Sequence, residues 1–89
     1  MNLEDALYNW LSIKKVVEGR PDDQAAKDTY EFFGEILGED HHVKNLEVLE
    51  EEPFYIVVYT IDEEWLTKKF PMELIDALFD SIQAEPKYN

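Results

Sequence analysis

The stretch Phe54 to Ile61, FYIVVYTI, decides the fold. It is an unbroken run of aromatic and β-branched residues between Pro53 and Asp62, the composition of a strand bounded by turns. Side chains alternate along a strand. Phe54, Ile56, Val58 and Thr60 therefore share one face, while Tyr55, Val57, Tyr59 and Ile61 share the other. Both faces are largely apolar, so this strand is expected at the centre of a sheet and to need cover on both sides. That cover is either helices on both faces, or helices on one face and a second subunit on the other. The second arrangement predicts a homodimer.

On the N-terminal side, Glu50, Glu51 and Glu52 before Pro53 read as a turn, and 43–49 reads as a preceding strand. Its alternation is imperfect: Leu46 and Val48 are in phase, whereas Val43 and Leu49 are opposite. On the C-terminal side, Asp62, Glu63 and Glu64 form the next turn. Residues 65–70 alternate as a half-exposed edge strand blunted by Lys68 and Lys69, with a short helix capped by Asp62 as the competing reading. Pro71 suits a first helical position. Leu74, Ile75, Leu78, Phe79 and Ile82 then form an apolar stripe, which predicts a helix over 71–84 that ends before Pro86, with the last residues fraying.

The N-terminal part has helical periodicity. Leu3, Leu7, Trp10 and Val17 lie on one stripe, flanked by Ala6, Leu11 and Ile13, which predicts a helix over 3–18. Glu4 and Asp5 suit its N-terminal dipole, Lys14 and Lys15 suit the C-terminal end, and Gly19 suits a left-handed cap. After the turn Arg20 to Asp23, the residues Ala26, Tyr30, Phe33 and Leu37 predict a second helix over 23–37, stopped by Gly38. Gly34 within it is expected at a close helix contact. The two helices should pack as an antiparallel hairpin. The fold class is thus α+β, in the order α-α-β-β-β-α, as a single domain over 1–89 with a three-stranded antiparallel meander.

Composition narrows the function. With 45% apolar residues the chain can bury a core, and with no cysteine it has neither disulfides nor thiolate chemistry, which fits a reducing, cytoplasmic setting. No apolar run is long enough to span a membrane, and the start, Met1 to Asp5, is acidic where a secretory signal would be basic. A net charge of −13 repels phosphate backbones and anionic lipid, so neither nucleic acid nor membrane is an expected partner. The same charge accelerates encounter with a basic protein.

Chemistry-bearing clusters are few. Asp40, His41 and His42, beside Glu39, should lie near Asp62, Glu63 and Glu64, because a meander brings the start of its first strand to the end of its second. They are the candidate metal ligands, although acids in turns need no functional explanation. Ser12 and Ser81 lie within helices, the glycines make no phosphate-binding loop, and the acids fall on turns and polar helix faces. Neither an enzyme nor a cofactor is expected. Tyr8, Trp10, Tyr30, Tyr59 and Trp65 read as core aromatics.

The expected function is a non-enzymatic interaction or regulatory module. Its candidate contact residues are Glu50, Glu51 and Glu52 at one end of the meander, with Tyr55, Val57 and Tyr59 on a strand face expected to lack cover. Two other readings accompany it. One is an immunity-type or nucleic-acid-mimicking inhibitor of a basic protein, against which Lys44, Lys68 and Lys69 speak. The other is a weak metal- or ligand-binding protein.

Overall fold

A computed structural model describes residues 1–84 of the chain. The order is α1 (Leu3–Gly19), α2 (Gln24–Glu35), a π-helical stretch (Ile36–Asp40), β1 (Val43–Glu51), β2 (Phe54–Ile61), β3 (Glu64–Pro71) and α3 (Met72–Ala84). This is the expected α-α-β-β-β-α arrangement. The fraying expected beyond Pro86 lies outside the described residues.

The sheet is an antiparallel meander in the order β1-β2-β3, with FYIVVYTI at its centre. Residues 65–70 are strand, so the short helix capped by Asp62 does not form. Pro71 is the last residue of β3, paired with Phe54, rather than the first of the helix. An edge strand tolerates it because its missing N–H would have no partner there.

All three helices cover the same side of the sheet. Tyr55, Val57 and Tyr59 are buried in one core with Leu7, Trp10 and Leu11 of α1, Leu37, Val43, Phe70 and Ile75 of α3. The helix-facing set therefore consists of the odd-numbered residues of β2. Helix α1 contacts both α2 and α3, so it is buried around most of its circumference. Trp10 stacks on Tyr30 at 5.8 Å between ring centroids, joining α1 to α2, and a second core of Ile13, Val16 and Ala26 extends that contact.

The helix ends follow local chemistry. The Asn2 side chain accepts a hydrogen bond from the Asp5 amide (2.8 Å), and the Asp23 carboxylate accepts one from the Ala26 amide (3.0 Å), so each closes an N-terminus. The Ala26 amide holds the Asp23 carboxyl below its usual range; burial opposes this, and Arg20 adds to it. Gly19 departs from the expected cap. No glycine has positive φ, and Gly19 instead ends α1 where a Cβ would lie 2.4 Å from the Phe79 ring. Its value is the close approach of α3. At Gly34 the Trp10 indole Nε1 lies 4.0 Å from where a Cβ would stand, an ordinary contact rather than the expected close approach. Helix α2 ends at Glu35, short of the expected 37, and Gly38 falls within the π-helical stretch.

Two apolar residues of α3 are not where the stripe puts them. Ile75 is fully buried, and Phe79 and Ile82 pack on the second core, but Leu74 and Leu78 are exposed shoulders. An α3 resting chiefly on α1 presents only a narrow face.

Ser12 lies on the stripe of α1 (Tyr8, Ser12, Lys15, Gly19) that faces α3, and its hydroxyl is buried without a hydrogen-bond partner. Ser12→Ala should therefore stabilise the fold by about 1 kcal/mol, from better helix propensity and relief of an unsatisfied polar group, read as a higher urea midpoint.

Tyr55 joins sheet to helix through its hydroxyl, which donates to Asp76 Oδ1 at 2.8 Å, while the Lys15 ammonium lies 5.0 Å from its ring centroid. Burial and the Asp76 hydrogen bond raise the phenol above its ordinary value, against the opposing pull of Lys15. The folded state thus holds this proton more tightly than the unfolded chain. The associated stability should be complete below about pH 10 and lost as pH rises through the folded value. Tyr55→Phe should cost about 1 kcal/mol at neutral pH and flatten the alkaline limb of a stability-against-pH curve.

Candidate functional site

The helix-free side of the sheet is the surface the fold leaves uncommitted. Its residues can be read row by row from the register. Lys44, Thr60 and Trp65 form one row, followed by Glu47, Val58 and Thr67, then Leu49, Ile56 and Lys69, then Glu51, Phe54 and Pro71. None of the apolar members belongs to or packs on either core. Leu49 is 52% exposed and Trp65 60%, flanking a half-buried line of Phe54, Ile56 and Val58 on β2. Trp65, expected in the core, is instead the most exposed large aromatic among the described residues.

The face expected to lack cover is therefore the opposite one to that assigned from sequence. Tyr55, Val57 and Tyr59 are 4%, 0% and 4% exposed beneath the helices, and the uncovered positions belong to Phe54, Ile56 and Val58. The alternation of β2 is as expected, but two apolar faces do not by themselves reveal which one the helices take. Glu50, Glu51 and Glu52 are all exposed, but only Glu52 lies in the turn: Glu50 and Glu51 are the last residues of β1, held in the ladder by Tyr55 and Phe54, so the strand runs past the expected 43–49. Glu51 faces the open side, opposite Phe54, whereas Glu50 pairs with the helix-facing Tyr55.

The imperfect alternation of β1 has a structural cause. Lys44 pairs with Thr60 and Glu47 with Val58, so Asn45 and Leu46 together oppose Tyr59 in a β-bulge. The extra residue shifts the phase, placing Val43, Leu46 and Val48 all on the helix side and leaving Leu49 outside. Asn45 carries the bulge in the left-handed region at φ 56°. Its side-chain amide donates to Thr60 Oγ1 (2.9 Å), and the Thr60 hydroxyl donates to the Lys44 carbonyl (3.2 Å). Those bonds fasten the bulge and explain why Thr60, on the open side, is buried.

One end of this face opens into a shallow concavity. It is lined by His42, Asn45, Asp62 and Glu63, with Lys44, Trp65, Thr60 and Gly38 completing its wall. The four first-named residues are all of the non-glycine residues with positive φ among those described, at 59°, 56°, 52° and 67°. Asp62 and Glu63 form the two-residue turn between β2 and β3, matching the φ signs of a type I′ hairpin. Local backbone strain is concentrated at this rim.

The sequence places Asp40, His41, His42, Asp62, Glu63 and Glu64 together, and the structure does so only in part. His42, Asp62 and Glu63 line the concavity, but Asp40, His41 and Glu64 do not. The His41 ring is directed to the N-terminus, its Nε2 donating to the Met1 carbonyl at 3.0 Å. Adjacent histidines diverge here because His42 takes the left-handed conformation that turns the chain into β1. Among the described residues no group of three His, Asp or Glu side chains is placed to hold a metal ion.

The lysines also separate. Lys68 faces the helices and pairs with Glu4 of α1 at 3.3 Å, whereas Lys69 faces the open side, 5.4 Å from the Phe54 ring centroid. Lys15 and Lys14 both pair with Glu18 on α1. For the Glu18 carboxyl burial acts upward, but the two ammonium groups outweigh it and hold the carboxyl below its ordinary value.

The open-face residues Leu49, Ile56 and Trp65 lie on three different strands, and their sharing a face follows only from the register and the bulge. Nothing in the sequence announces the bulge itself beyond the Lys44-Asn45 dipeptide, asparagine being tolerant of left-handed backbone. Glu63 has no such tolerance. Glu63→Gly should stabilise the protein by about 0.5 kcal/mol, relief of the left-handed strain being partly offset by the freer unfolded chain, as measured by chemical denaturation. Comparison with protein-family models, curated proteins and solved structures finds no match for this chain.

Proposed function

We propose that the protein is a non-enzymatic interaction module that binds a protein partner through the helix-free face of its sheet. The observation that carries this reading is the composition of that face. It presents Leu49, Phe54, Ile56, Val58 and Trp65 to solvent, and its formal charges are Lys44, Lys69, Glu47 and Glu51, which cancel, on a chain whose net charge is −13. An apolar, charge-balanced patch within a strongly acidic surface is the pattern of a docking face rather than of a solvated one. The acidic run Glu50 to Glu52, at the end of β1 and into the turn, lies at its edge, where long-range attraction would guide a basic partner without forming the centre of the contact.

A nucleic-acid mimic would need acids arrayed without interruption, and Lys44 and Lys69 break the array on this face. The metal-binding alternative has no supporting constellation among the described residues.

The test compares three immobilised forms in capture from the source cell: wild type, Ile56→Asp, and the triple variant Glu50→Gln, Glu51→Gln, Glu52→Gln. Circular dichroism establishes that each is folded. Central apolar contacts dominate binding, so a partner's affinity should fall at least about tenfold for Ile56→Asp, and mainly its association rate should fall for the triple variant. Equal affinity for wild type and Ile56→Asp would sink the proposal.

A further inference from the structure

Resting on the reading that the helix-free face binds protein, we propose that its occupant is a second copy of this chain, packed face to face about a two-fold axis parallel to β2. The argument is charge and shape complementarity of the face with itself.

Two copies carrying −13 each repel one another over most of their surface, and this face is where that repulsion is absent. A face-to-face pair of sheets admits two in-plane two-fold axes, and the charge pattern distinguishes them. An axis across the strands lays β1 over the partner's β1 and reverses the rows. Centred on Ile56, it sets Glu47 against the other copy's Glu51 and Lys69 against the other copy's Lys69. Centred between Ile56 and Val58, it sets Lys44 over Glu51 but leaves Glu47 over Leu49, between two glutamates of the other copy, and Lys69 over Thr67 beside the other copy's Lys69.

An axis along β2 lays β1 over the other copy's β3 with the rows in step. Lys69 then sits over Leu49 with Glu47 and Glu51 one side-chain repeat away on either side, about 7 Å along the strand. The register places these residues in adjacent rows, so a flexible lysine reaches either acid. Lys44 falls over the exposed Trp65 indole, a cation above an aromatic face. On the axis, the line Phe54, Ile56, Val58 meets its own copy. Aligned sheet packing departs from parallel by about 30°, which keeps these neighbours in reach. Lys44 thus gains a ring, Lys69 gains an acid with the two glutamates sharing one lysine, and the apolar line gains apolar cover.

Three strands about 4.8 Å apart and eight residues at about 3.3 Å give a face of roughly 400 Å² per copy in projection, smaller than a standard specific interface and in the range of weak, transient contacts. Dissociation is therefore expected in the micromolar range or weaker.

Sedimentation equilibrium on the full chain, with intrinsic fluorescence followed on dilution, tests this. Wild type should dimerise, and Trp65 emission should shift blue on association while Trp10, already buried, contributes a constant background. Lys69→Glu, and separately Glu47→Lys with Glu51→Lys, should each weaken the homodimer by about tenfold or more. These positions are solvent-exposed, so the fold should survive the changes. Mixing the two variants should restore a dimer, because the glutamate at 69 then meets lysines at 47 and 51, and Lys69 of the other copy meets Glu47 and Glu51. A wild type that stays monomeric at about 100 µM would overturn self-association. A dimer indifferent to both charge changes, or a mixture that does not recover, would overturn this axis. The capture experiment with Ile56→Asp reads the wider interaction proposal separately, since a monomer that loses a foreign partner on that substitution keeps the face and loses only the second copy.

Discussion

Burial of one face of β2 against α1 is the interaction on which the other contacts depend. Tyr55, Val57 and Tyr59 meet Leu7 and Leu11 in the main core, and fully burying side chains of this size contributes about 1.5–3 kcal/mol each. Because α1 occupies the middle of the helical layer, α2 and α3 have only its flanks on which to pack. The flank against α3 is shaped for close approach, with Gly19 of α1 under Phe79, and the flank against α2 is filled by Trp10 stacked on Tyr30. A chain of 89 residues has little surface to bury, and it places all its helices on one side of the sheet to do so.

The consequence is a sheet with a covered face and an open one. Lys68 and Lys69 show the division in two adjacent residues. Lys68 extends to Glu4 at the N-terminal end of α1, and Lys69 lies over Phe54 on the other side. The bulge at Asn45 serves the same division, because without it Val43 and Leu46 could not both face the helices. The cost is left-handed backbone at Asn45, and the neighbouring His42, Asp62 and Glu63 share that conformation. The strained residues collect at one end of the meander, where β1 begins and β2 turns into β3, against the Trp65 end of the open face.

Charge and shape then act on the same surface at different ranges. The acidic run Glu50 to Glu52 projects a field beyond the molecule, screened over about 8–10 Å at ordinary ionic strength. The open face itself is neutral in sum and apolar at its centre, so under the proposed function short-range packing rather than net attraction would govern contact there.

By itself the sequence determined the kinds of element and their order, because periodicity is local: FYIVVYTI could only be a strand with two apolar faces, and Leu3, Leu7 and Trp10 only one side of a helix. Capping by Asn2 and Asp23 is equally local, since it joins residues a few positions apart, but only the structure picks out these two residues. Tertiary structure alone decided which face of β2 the helices took, and so moved the exposed positions from Tyr55, Val57 and Tyr59 to Phe54, Ile56 and Val58. It decided that Trp65, Leu74 and Leu78 remain outside, that Gly19 serves packing instead of a turn, and that His41 and His42 part. Each of these depends on which distant surface arrives, and on a single inserted residue in β1 that reverses the phase of everything before it. A pattern of period two specifies two faces equally, and only the helices packed against one of them break that equality.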